Sequence, residues 1–123
     1  MPGHIARDAF EQLVVDALDS LPDEIERAMQ NVEVVVEDEP PPDLLAGLGR
    51  GGELLGLYQG VPLTRREHYS SVLPDKISIY RGPITRLARS PERIKNQVRR
   101  TVIHEVAHHF GIDEERLTEL GWG

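Results

Sequence analysis

The chain has 123 residues with 21 acidic and 14 basic side chains, five histidines and no cysteine, giving a net charge of −7. That length suits one domain, 1–123, with a modest core, and the lack of thiols excludes a disulfide framework and a thiolate metal site. The acidic balance, with no aromatic-basic stripe, argues against nucleic acid as a partner.

No apolar run approaches the ~18 residues of a membrane span, so no membrane partner is expected. The stretch from Met1 to Asp8 has neither the basic head nor the apolar core of a secretory signal. Together with the absence of cysteine, this points to a cytoplasmic location.

In chain order, residues 5–21 carry Phe10, Leu13, Val14, Ala17, Leu18 and Leu21 at three- and four-residue spacings, the stripe of a core-facing helix. Pro22 can start a second short helix over residues 23–29, whose early carboxylates Asp23, Glu24 and Glu26 suit the helix dipole. Residues 32–37 read as a strand because β-branched side chains dominate. The acidic stretch from Glu37 to Asp43 contains three prolines, which forbid helix and central strand and leave a stiff solvated loop. A helical turn is expected at residues 44–48. The glycines that follow, Gly47, Gly49, Gly51 and Gly52, match no phosphate-binding fingerprint.

Residues 54–58 and 61–63, joined at Gln59-Gly60, look like a short hairpin, with Pro62 confining its strand to a sheet edge. An edge is what an extended peptide would use. Residues 64–74 form a polar loop carrying Arg65, Arg66, His68 and Tyr69. Residues 76–80 alternate as a third strand with Ile77 and Ile79 on one face, and Tyr80 and Arg81 then precede Gly82-Pro83. Tyr58, Tyr69, Tyr80 and Arg81 are the side chains able to stabilise an oxyanion, and no spacing selects among them. Ser90-Pro91-Glu92 then combines a capping serine, proline at the first position and an acid in the first turn. The helix it starts runs to Phe110.

Charge is unevenly divided. Residues 1–60 hold 3 basic and 13 acidic side chains, whereas residues 61–123 hold 11 and 8. The basic cluster Arg93, Lys95, Arg99 and Arg100 opposes its own helix dipole and is expected to face the acidic half.

This helix carries His104-Glu105-Val106-Ala107-His108, an H-E-x-x-H pattern. At ~100° per residue both imidazoles fall on one face, together with Thr101 and Glu105, while Val98, Val102, Ile103, Val106, Ala107 and Phe110 fill the other. Two neutral imidazoles one turn apart can take adjacent corners of a tetrahedral zinc site. Glu105 points toward the open corner without ligating, where a carboxylate can move a proton. His109 falls on the apolar side and reads as a packed or supporting residue. Gly111 can end the helix in a left-handed turn that swings the chain back toward the metal. In the extended pattern H-E-x-x-H-x-x-G-x-x-(H/D), the last position falls on Glu114. Asp113 is the competitor, although its place before the next helical run suits an N-cap better.

Residues His104 to Glu114, with a softer match over Leu55 to Leu63, resemble the zincin metallopeptidases, and within them a group of minimal zincin-like bacterial proteins. The resemblance implies His104 and His108 as zinc ligands, Glu105 as general acid/base and a carboxylate ligand at Glu114. Two features depart from larger zincins: the only methionines, Met1 and Met29, lie upstream, so the methionine floor is missing, and only 15 residues follow His108. The second wall of a cleft is therefore expected from a protein partner.

The expected architecture is α+β, a mixed sheet of three or four strands on helices that include the long metal-binding helix. The expected function is zinc-dependent hydrolysis of peptides or proteins through a zinc-bound water. The alternative is a non-catalytic zincin-like metal-binding or interaction module.

Overall fold

The computed structural model describes residues 6–43, 54–60, 75–119 and 121. The first helix, α1 (Arg7–Asp19), buries Phe10, Val14 and Ala17, the stripe expected from spacing. Pro22, whose fixed φ suits the position before a helix, leads into α2 (Asp23–Ala28), which buries Ile25. Strand β1 (Val32–Glu37) follows where β-branched residues cluster.

Strand β3 (Asp75–Tyr80) is central in a mixed three-stranded sheet, between β1 and β2 (Gly56–Gln59). It pairs in parallel with β1, Val34 opposite Ile77, and antiparallel with β2, Tyr58 opposite Ile77. Ile77, Ile79, Ser78 and Tyr80 are all buried, as a central strand covered on both faces requires. Burial pushes the Tyr80 hydroxyl pKa above its usual value. The antiparallel partner of β2 is thus β3. The second arm of the expected hairpin, residues 61–63, lies outside the described residues, as do residues 44–50 and the loop with Arg65, Arg66, His68 and Tyr69.

Gly82-Pro83 does not break the chain after β3: a helix, α3 (Arg81–Leu87), begins there. Proline is tolerated because first-turn N–H groups have no intrahelical acceptor to lose. Helix α4 (Pro91–His109) starts as its sequence demands, with the Ser90 hydroxyl accepting from the Arg93 N–H at 3.2 Å. It is the hub of the core, packing against α1, α2, α3 and two strands. Its buried side chains Ile94, Val98, Val102, Ile103, Val106 and Ala107 join Phe10, Val14, Ile25, Ile77 and Ile79 in one cluster. Each such aliphatic side chain contributes roughly 1.5–3 kcal/mol on burial.

Two expectations about α4 change. Phe110 is 47% exposed, because it caps the helix beyond the edge of the core. Thr101, placed on the polar arc, is buried; its methyl group faces Gly56, where an added Cβ would lie 2.7 Å away. The acidic loop is also more than solvated. Asp38 pairs with Arg7 and Arg81, and Glu39 accepts two 2.8 Å bonds from Arg86. The pairs of Asp38 with Arg81, Glu39 with Arg86 and Glu24 with Arg116 do join the two oppositely charged halves, but through α3 and α5 (Glu114–Glu119).

Candidate functional site

The exit of α4 is shaped by Gly111, whose φ of +73° is the left-handed conformation the sequence calls for. The Ile112 N–H donates to Ala107 C=O at 2.7 Å and the Gly111 N–H to His108 C=O at 3.4 Å, the paired bonds of a Schellman end. The chain then turns into α5. There the Asp113 carboxylate accepts from the Arg116 N–H at 2.8 Å, so Asp113 is the N-cap.

This turn encloses a cavity of about 430 Å³ lined by His104, Glu105, Ala107, His108, Gly111, Ile112, Asp113 and Leu117. The two histidines and the glutamate therefore open onto one space. His108 is exposed, while His104 and Glu105 are half-buried. Packing of Val102, Val106 and Ala107 behind them fixes the helix face on which they stand.

Glu105 is oriented from outside its own helix. Its Oε1 accepts the backbone N–H of Tyr58 at 2.9 Å. Tyr80 N–H donates to Leu55 C=O and Leu57 stands opposite Ser78, so in the antiparallel ladder the peptide groups of Gly56 and Tyr58 point away from β3. The outer edge of β2 thus supplies the donor. The Tyr58 hydroxyl is itself fixed, donating to Asp75 Oδ2 at 2.6 Å. His109 stacks on the Tyr58 ring with centroids 3.9 Å apart, and its Nε2 lies 4.0 Å from Asp75 Oδ2. Phe110 meets both rings edge-on.

Of the oxyanion candidates, Tyr58 has its phenol engaged by Asp75, Tyr80 is buried and Arg81 pairs with Asp38. Tyr69 lies outside the described residues. Sequence reading did not single out Asp75 or the Tyr58 N–H. The available signal was Gly56, a glycine inside a strand, which marks close backbone approach.

Two imidazoles facing one cavity are two nitrogen donors of the kind a divalent cation such as zinc takes, with Glu105 beside them. Among the described residues, no three His, Asp or Glu side chains are gathered closely enough to hold a metal, and Asp113 does not complete such a group. The side chain of Glu114 lies outside the described residues.

The model of the family described as Zincin-like metallopeptidase matches residues 29–122. A solved structure described as a conserved hypothetical protein from Thermo thermophilus is similar, with a TM-score of 0.56 and 26% identity, over 86% of this chain and 94% of that one. No curated protein matches the chain.

Proposed function

Because this chain belongs to the zincin-like metallopeptidase family, we propose that it is a zinc-dependent peptidase, with His104, His108 and Glu114 as ligands and Glu105 as general acid/base. The observation that carries the reading is Glu105, held by the Tyr58 N–H at the mouth of the cavity that both histidines line.

When bound, zinc supplies the Lewis acidity that polarises a peptide carbonyl and acidifies water near neutral pH. The chain's own residues do the rest. With Oε1 anchored on Tyr58, Glu105 presents Oε2 to accept a proton from the attacking water and return it to the departing amine. The outward Gly56 peptide groups of β2, which line the adjoining cavity, would offer an extended substrate backbone hydrogen bonds beside that carboxylate. A partner protein would supply the facing wall, and action in the cytoplasm fits the sequence.

Elemental analysis of the purified chain, followed by a peptide library with and without chelator, tests this. About one zinc per chain and chelator-sensitive cleavage are expected. Glu105→Gln should keep the metal and lose at least ~100-fold in turnover. If His104→Ala binds zinc as the parent does, the ligand assignment fails. Stoichiometric zinc with no cleavage of any peptide would favour the binding-module reading.

A further inference from the structure

Three cavities adjoin along α4. The site cavity shares His104 and Glu105 with one of about 340 Å³ lined by Leu54, Gly56, Gln97 and Arg100. That cavity shares Gln97 and Arg100 with a third, of about 230 Å³, reaching Leu87 and Arg93. They form one shallow trough. The helix explains its direction, because positions 93, 97, 100, 104 and 108 fall within an arc of about 80° at 100° per residue.

The end of the trough away from the histidines, where Arg93 and Arg100 line the third cavity, is cationic in a chain of net charge −7. Among the described residues, no ion pair engages the Arg93 or Arg100 side chain. Arg81, Arg86 and Arg116, by contrast, are matched to Asp38, Glu39 and Glu24. Two unmatched guanidinium groups on one face of the helix, one of them in its first turn where the dipole is also positive, favour an anionic occupant.

We propose that this trough binds the acidic flank of a peptide substrate, with Arg100 and Arg93 reading carboxylates on one side of the bond that reacts. The proposal rests on the peptidase reading of the adjoining site. Spacing sets the pattern. Arg100 and Arg93 precede His104 by four and eleven helical positions, about 6 and 16 Å at 1.5 Å per residue. An extended peptide rises about 3.3 Å per residue, so Asp or Glu is selected about two and five residues from the reacting bond. A peptide is favoured over a nucleic acid because the groove continues into Glu105, whose charge repels a phosphate backbone.

The test uses ten-residue fluorescent peptides with Glu at those two positions, on either flank, against Gln counterparts. Binding is followed by anisotropy on the full chain after chelator treatment and on zinc-loaded Glu105→Gln. One Glu peptide should bind about tenfold tighter than its Gln counterpart at low salt, roughly threefold per pair, and the gap should close at about 500 mM salt. Arg93→Gln/Arg100→Gln should abolish the gap while leaving the Gln peptide's affinity unchanged, which also shows that the variant is folded. Equal binding of Glu and Gln peptides, or a gap that survives the double substitution, overturns the proposal. So does a single-stranded oligonucleotide of equal charge binding more tightly. Arginine-dependent binding without cleavage by the zinc-loaded parent would sink the peptidase reading and leave the trough standing. Cleavage indifferent to Glu would do the reverse.

Discussion

The Tyr58 backbone N–H and Glu105 Oε1 meet at 2.9 Å, so a strand 47 residues away in sequence aims the carboxylate carried by α4. That aim depends on how closely β2 lies against α4. A Cβ at Gly56 would fall 2.7 Å from Thr101 Cγ2 and 2.9 Å from Ser78 O, and the latter is backbone that cannot yield cheaply. Gly56→Ala should therefore destabilise the fold by about 1–3 kcal/mol. It should also lower kcat more than zinc affinity, because both histidines stand on α4. Urea unfolding with zinc titration separates the two effects.

Tyr58→Phe removes the hydroxyl that donates to Asp75, whose side chain is only 12% exposed, and keeps the backbone N–H. A loss of about 1–2 kcal/mol in urea stability is expected for the weakened buried carboxylate. The amide proton of Tyr58 should keep its protection from exchange in this variant and lose it in Glu105→Ala. Loss of protection in Tyr58→Phe alone would mean that the ring, not the carboxylate, holds the strand edge.

Much of this arrangement is legible in the sequence wherever the cause is local. The stripe Phe10, Val14, Ala17, the cap at Ser90 and the left-handed exit at Gly111 each follow from one residue type at one position. The common face of His104 and His108 follows from helical period alone. Helix α3 is not legible, since Gly82-Pro83 carries the signature of a turn and only packing reveals proline in a first helical turn. Nor is the pairing of β2 with β3, because alternation names a buried face and not a neighbour. The Tyr58–Glu105 bond joins distant segments and leaves no local pattern beyond Gly56.

Gly111→Ala places a β-carbon at φ +73°, which costs about 1–2 kcal/mol although nothing lies within 4 Å to clash with it. Asparagine tolerates this conformation better, so Gly111→Asn should recover part of the loss. Since the same turn brings Ile112 and Asp113 to the cavity that both histidines line, zinc affinity should fall in the order glycine, asparagine, alanine. Thermal melts with and without zinc measure both quantities on one sample.

Glu39 and Arg86 provide a pH signature away from the site. The guanidinium hydrogen bonds hold the Glu39 carboxyl below its ordinary 4.5. A depressed folded pKa means stability that is fully present above 4.5 and fades as pH falls through the lower folded value. Both side chains are about half exposed, so the contribution is a few tenths of a kcal/mol. The urea-midpoint difference between the parent and Arg86→Met should be measurable at pH 7 and fade as pH falls below the lowered folded value of the carboxyl.

Asp113 and Glu114 make opposite demands on the third metal position. Asp113 already holds the Arg116 N–H at 2.8 Å, and its backbone carbonyl accepts from Leu117, whose side chain is buried. Asp113→Asn keeps a capping oxygen, so stability and zinc affinity should both stay close to the parent. Asp113→Ala should cost about 1 kcal/mol as a lost cap. Glu114→Gln leaves the cap intact and removes the charge of the proposed third ligand, so zinc should bind at least ~10-fold more weakly with little change in metal-free stability. Zinc at about 100 times its Kd adds about 2.7 kcal/mol to stability, so the loss will show as a smaller zinc-induced rise in Tm. If Asp113→Asn loses the zinc response and Glu114→Gln keeps it, the cap and the ligand are the same residue, and α5 must re-form its first turn when metal binds.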